Sequence, residues 1–180
     1  MKGASRGVAR RYARALWEVA SADGAATALR SELERAAAAV RANPDLEKAL
    51  LHPALPAQRK QEIVARVFAA GSPLLRRALD LIVSRGRLPL LPAVAEEYTL
   101  ALLESENMAR AELVTALPLP EADTARIAAA LRAATGKGIE LHASSDPELL
   151  GGVLVKIGGQ HFDGSVRGRL QALRARLGAA

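Results

Sequence analysis

Gly151-Gly152-Val153-Leu154-Val155-Lys156-Ile157-Gly158-Gly159-Gln160-His161-Phe162-Asp163-Gly164-Ser165-Val166-Arg167-Gly168-Arg169-Leu170 reads as strand, tight turn, short return strand and helix. Val153, Leu154, Val155 and Ile157 are mostly β-branched and lie between glycine pairs, the composition of a buried strand. Gly158-Gly159 can take positive φ without steric cost and suits a two-residue hairpin. Asp163 and Ser165 can each accept a hydrogen bond from a free helix N–H, which starts the last helix there. Val166, Leu170, Leu173 and Leu177 follow at spacings of four, three and four, one stripe of a helix, and are expected to pack into a core. Arg167, Arg169, Arg174 and Arg176 fall on the flanks and outer face.

Working back from this stretch, Ser144-Ser145-Asp146-Pro147 reads as a loop and 139–142 as a strand. A helix is expected over 121–135, with Ile127, Leu131 and Ala134 inward and Gly136 just past its end. The segment 109–116 alternates like a strand. The order is β-α-β-β-β-α, a small α+β domain over 108–180 with one sheet face covered by two helices.

Before 108 the period is helical. Helices are expected over 8–21, 27–42, 45–51, 57–69 and 74–84, with a long last helix reaching about 107. Asn43-Pro44 and Gly71-Ser72-Pro73 punctuate them, and Ser72 with Pro73 gives an N-cap and first-turn signal. Ile63, Val64, Val67 and Phe68 are expected inward on the fourth helix. The helix over 74–84 is apolar almost all round and reads as the central, most buried one. The fold class is therefore two domains, a six-helix bundle over 1–107 and the α+β domain.

Composition narrows the function. The 180 residues hold half apolar side chains, 3% aromatics and no cysteine, which excludes a disulfide framework and a thiolate metal site. No apolar run approaches the roughly 18 residues that would cross a bilayer, and the N-terminus lacks the apolar stretch of a secretory signal, so a soluble or peripheral protein is expected. His52, His142 and His161 lie far apart with no carboxylate at metal spacing and read as structural or surface residues. Neither glycine pair is followed by Gly-Lys-Ser/Thr, so no phosphate loop is expected, and Asp163-Gly164-Ser165 reads as a cap rather than a nucleophile. No catalytic constellation is found, and no cofactor is expected. The net charge of +6 raises a rival reading as a basic nucleic-acid-binding helical protein. Against it, the cations are interleaved with acids along helices and are dense only from Arg6 to Arg14.

Two blocks carry a resemblance. Asp146-Pro147-Glu148-Leu149-Leu150-Gly151-Gly152 and Asp163-Gly164-Ser165-Val166-Arg167-Gly168-Arg169-Leu170 resemble, in sequence and separation, the delta subunits of bacterial F-type ATP synthases. These are relatives of the mitochondrial oligomycin-sensitivity-conferring protein. Arg11 to Leu16, Leu51-His52-Pro53 and Ser84 to Leu88 resemble that family's helical half, in order. The resemblance implies a non-catalytic stator subunit, peripheral on the cytoplasmic face of the bacterial cell membrane. Its helical domain would hold N-terminal helices of the alpha subunits, and its C-terminal domain the b subunits of the peripheral stalk, with no nucleic acid bound. A groove between the first and fifth helices is then implied, with Tyr12, Ala13 and Leu16 on one wall and Leu79, Ile82 and Val83 on the other. The competing reading of those six residues is plain intramolecular core.

Overall fold

The structure is a computed structural model that describes residues 2–52, 54–158 and 160–177, with all their side chains except those of 2–4, 172, 173 and 175–177. The chain divides into two compact units, Met1–Leu102 and Leu103–Ala180, and the division falls in the last turn of a helix rather than at 107/108.

Unit 1 is built from α1 (Lys2–Ala22), α2 (Ala26–Ala42), α3 (Pro44–Leu51), α4 (Ala57–Val67), α5 (Pro73–Ser84) and α6 (Leu91–Ser105). α1 begins six residues earlier than its apolar period suggests. A 3-10 turn at Leu88–Leu90 precedes α6, where the sequence predicts one continuous helix. Ser72 caps α5 by accepting from the Leu75 N–H at 3.1 Å, and Pro73 follows it as expected. Ser72 is itself anchored on α2, because Glu32 accepts from its hydroxyl at 2.5 Å and from its N–H at 3.1 Å.

The central helix is α6, not α5. Leu91, Val94, Ala95, Tyr98, Thr99 and Leu102 of α6 are all buried. On α5, Leu75, Ala78, Leu79, Ile82 and Val83 are buried, but Arg76, Arg77 and Asp80 face out and Leu81 is 46% exposed. α5 therefore has one buried face. α6 hid its centrality in the sequence because it carries a glutamate on the buried side. Glu97 is 4% exposed and accepts from Arg6 Nε at 2.6 Å and from Arg10 Nε at 2.9 Å. Burial by itself would raise the Glu97 carboxyl, but the hydrogen bonds from Arg6 and Arg10 and their two charges outweigh it and hold the group below its ordinary value. Tyr98, next in sequence, donates its hydroxyl to the Ala26 carbonyl at 2.9 Å, and burial pushes its phenol up to about 12. Thr99 donates to Glu34 at 3.1 Å. These three buried side chains of α6 thus each meet a partner from α1 or α2. On α4, Val64 is buried as expected, whereas Val67 is half exposed.

Unit 2 is a four-stranded mixed sheet with two helices, in the order β1 (Met108–Thr115), α7 (Glu121–Thr135), β2 (Gly138–Ser145), β3 (Val153–Ile157), β4 (Gln160–Asp163) and α8 (Val166–Leu177). The spatial order is β2-β1-β3-β4. β1 and β2 are parallel and joined by α7; β1–β3 and β3–β4 are antiparallel. β2 runs three residues past its predicted end, because it pairs with β1 along the whole of that strand, to Thr115↔Ser145. Gly136 closes α7 at φ 68°, and Gly158 turns the hairpin at φ 54°. Gly159 lies outside the described residues.

Ala111, Ile139 and Ile157 form the sheet's buried centre, with Leu131 of α7 packed against it. The opposite face carries polar residues in register. Arg110 pairs with Glu140 at 3.7 Å, His142 meets the same carboxylate at 3.0 Å, and Lys156 reaches Glu112 at 3.9 Å. α8 departs from expectation. Val166 is 42% and Leu170 47% exposed, so these two do not pack into a core. The side chains of Leu173, Arg176 and Leu177 lie outside the described residues.

Glu97→Gln should destabilise unit 1 by about 1.5–3 kcal/mol, the usual worth of a hydrogen bond to a charged group. The folded carboxyl titrates below its unfolded value, so its contribution is full above the ordinary carboxylate range, near about pH 4.3. It is lost as pH falls through the lower folded value. Urea melts of wild type and Glu97→Gln should therefore differ at neutral pH and converge in acid; a gap that stays constant down to the acid limit would refute the clamp.

Candidate interaction surfaces and the glycine clasp

The six residues of the implied α1/α5 groove do not form an open cleft. Ala13, Leu79, Ile82 and Val83 are 1–3% exposed and belong to the core of unit 1. Tyr12 and Leu16 are half-buried and pack on that core. Tyr12 lies on the rim, where Arg87 Nη1 donates to its hydroxyl at 3.0 Å and the guanidinium stands 5.6 Å from the ring centre. Open surface lies elsewhere on this unit. A groove of about 290 Å³ between α4 and α5 is lined by Val64, Ala65, Pro73, Arg76, Arg77 and Asp80. Val67 and Leu81, half exposed on the same two helices, do not line it, and a helical period cannot tell an exposed apolar position from a buried one.

The dense basic segment at the N-terminus has a structural account. Arg6 and Arg10 hold Glu97, and Arg14 pairs with Glu18 at 3.4 Å. Two of the chain's densest cations, Arg6 and Arg10, are thereby engaged by its own fold. The histidines are apart: Nδ1 of His52 accepts from the Ala54 N–H at 3.3 Å, His142 meets Glu140, and His161 sits opposite Lys156 on β4. Among the described residues, no group of histidine and carboxylate side chains is arranged to hold a metal ion.

The two blocks that carry the resemblance meet in space. The Val166 N–H donates to the Gly151 carbonyl at 3.0 Å, and the Gly164 N–H to the Val153 carbonyl at 2.9 Å. Gly152, at φ 78°, has no room for a side chain, since a Cβ there would overlap the Gly164 carbonyl oxygen. Ser165, 2% exposed, is the N-cap of α8 and accepts from the Gly168 N–H at 3.0 Å. Asp163 supports that cap. Hydrogen bonds from the Ser165 side chain and then its backbone N–H, the latter at 2.8 Å, hold the exposed Asp163 carboxyl below its usual value. Gly168 is small for the same reason, as a Cβ would come within 2.5 Å of Asp163 Oδ2. Asp146 accepts from the Glu148 N–H at 3.0 Å, and Glu148 receives Arg167 at 3.3 Å, tying the first block to the second. Asp146, Gly151, Gly152, Asp163, Gly164, Ser165 and Arg167 thus form a backbone clasp that fixes the start of α8, while Leu170 projects from it, half exposed. The clasp holds polypeptide against polypeptide; Asp146, Asp163 and the Ser165 hydroxyl each accept from a backbone amide.

The comparisons agree with this architecture. The sequence profile of the family described as ATP synthase delta (OSCP) subunit matches residues 8–177. The ATP synthase subunit delta of Citrifermentans bemidjiense is 36% identical over 169 residues, covering 93% of this chain and 94% of that protein. That of Synechococcus sp. strain JA-3-3Ab is 39% identical over 168 residues, covering 92% of each. A chain in the cryo-EM structure of the Toxoplasma gondii mitochondrial ATP synthase hexamer superposes with a TM-score of 0.70 at 27% identity, covering 94% of this chain and 96% of that one. The chain belongs to the ATP synthase delta (OSCP) subunit family. It is a non-catalytic, structural subunit of an F-type ATP synthase, and none of its described helices is long and apolar enough to cross a membrane.

Gly152→Ala should lower the stability of unit 2 by about 2 kcal/mol or more, combining a left-handed backbone with overpacking. Gly158→Ala, where φ is also positive but nothing lies within 4 Å, should cost only about 1 kcal/mol. Hydrogen exchange of the β3 amides in the two variants would rank them; equal protection would show that the close approach to Gly164 is not holding the clasp.

Proposed function

We propose that this subunit is the stator link between the catalytic head and the peripheral stalk of the synthase. Unit 1 holds N-terminal helices of the alpha subunits, and unit 2 holds the b subunits, so that rotor torque is spent on the head instead of turning it. The observation that carries the reading is the pairing of family membership with two compact units, each having its own buried centre. A link of this kind needs two gripping surfaces and stiffness, without bond chemistry, and helix-in-groove contacts supply that. On unit 1 the α4/α5 groove and the Tyr12–Leu16 rim are the exposed candidates for an amphipathic helix. Acting through the complex, the protein would lie at the cytoplasmic face of the bacterial membrane.

The test is affinity capture of the tagged full chain from detergent-solubilised membranes. Both alpha and b subunits should be retained. Tyr12→Asp should reduce alpha retention about tenfold while leaving b retention unchanged, the loss expected when an aromatic rim contact is replaced by a charge. Capture of neither subunit would refute the stator reading, and unchanged alpha retention would move the head contact to the α4/α5 groove.

A further inference from the structure

α8 has a charge arrangement of which its own fold uses only Arg167 among the described side chains. Its apolar stripe follows the four-three-four spacing of a coiled-coil seam, with Val166 and Leu173 at one core position and Leu170 and Leu177 at the other. The positions flanking such a seam are then Arg167 and Arg174 on one side and Arg169 and Arg176 on the other. All four flanking positions are arginine, and the helix, 12 residues long, contains no acid. The back of the helix is small, with Gly168 lying against the Asp163 carboxylate. The described part of the stripe is open: Val166 and Leu170 are 42% and 47% exposed, and Arg169 and Arg174 are exposed beside them. Arg167 is the one flanking residue with a recorded partner among those described, Glu148 at 3.3 Å.

The loop beside the helix adds to the same surface. Leu150 is 70% exposed and sits at φ 61°, in the left-handed region where a branched, bulky residue is strained. It adjoins Gly151, whose carbonyl accepts from the Val166 N–H. The backbone is thus held in an unfavourable conformation at a point where a leucine projects into solvent next to the stripe.

We infer that α8 is one half of a helix–helix seam whose other half is an amphipathic helix with acidic residues on both flanks of its apolar stripe. Charge complementarity selects this occupant. A second copy of α8 would set arginine against arginine along both edges, in either orientation, so self-pairing is disfavoured. A neutral apolar helix would put Arg169 and Arg174 beside a newly dried seam and offer them no counter-charge. The inference deepens the stalk reading of unit 2 and rests on it: the stalk subunit supplies the acidic helix. A seam of 12 residues spans only about 18 Å, so its apolar area is modest and the charged flanks carry much of the attraction.

The experiment is calorimetric titration of the full chain with the soluble part of the b-subunit dimer from the same synthase, at about 50 mM and about 300 mM salt, which shortens the screening length from above 10 Å to below 8 Å. Wild-type affinity should fall with salt. Arg169→Glu with Arg174→Glu should weaken binding about 100-fold and remove that salt dependence, as reversal of complementary charge does. Leu170→Ser should weaken it about tenfold, the worth of one partly buried leucine. Arg169→Lys with Arg174→Lys keeps the charge and should bind within about threefold of wild type. All these side chains are exposed or half exposed, so thermal melts should be unchanged. Lys156→Glu, on the polar face of the sheet, should bind normally. Wild-type binding by the charge-reversed and Leu170→Ser proteins, or loss of binding in Lys156→Glu alone, would overturn the seam and leave the stalk reading standing. Absence of any binding by wild type would overturn both.

Discussion

Burying α6 within unit 1 imposes the constraint that the rest of that unit answers. A helix enclosed on several sides has to satisfy every polar side chain it carries, and α6 carries Glu97, Tyr98 and Thr99 in succession, all buried. Their partners come from elsewhere in the unit: Arg6 and Arg10 from α1, the Ala26 carbonyl at the start of α2, and Glu34 further along α2. The polar contacts thereby fix how α1 and α2 lie on α6, which apolar packing alone specifies weakly. Arg6 and Arg10 remain more than half exposed, so the clamp avoids the full desolvation of a buried ion pair.

Unit 2 solves a different problem. Its apolar centre is small, and much of its order comes from close backbone approach. Gly152 against Gly164, Gly168 against Asp163, and the Ser165 cap together set the direction in which α8 leaves the sheet. In this chain the two blocks that carry the resemblance are therefore a device for aiming a helix. That helix emerges with Val166 and Leu170 half exposed beside exposed arginines, a form suited to being completed by another chain.

The two units suit the coupling role proposed for them. Neither the clamp nor the clasp offers a free nucleophile, base or metal site, since the polar groups in both are engaged in holding helices. What is left for partners is shape and charge on the outside: a groove between α4 and α5, the Tyr12 rim, and α8.

Local chemistry made much of this legible in the sequence. The Ser72-Pro73 start of α5, the Gly136 stop and the hairpin turn at Gly158 depend on one or a few neighbouring residues and stand where the sequence puts them, and of the two cap candidates, Asp163 and Ser165, Ser165 is the N-cap. The element order of unit 2 follows from the switch between a period of 3.6 and a period of two. Tertiary structure decided what periodicity cannot carry. Whether an apolar stripe meets a core or solvent depends on what arrives from elsewhere in the chain, so α5 and α6 exchanged their expected roles and Leu170 lies half exposed. The implied groove became core at Ala13, Leu79, Ile82 and Val83 for the same reason. Glu97 is the sharpest case: a glutamate reads as a surface residue until two arginines 91 and 87 positions away in the chain are folded onto it, and only then can its charge be buried.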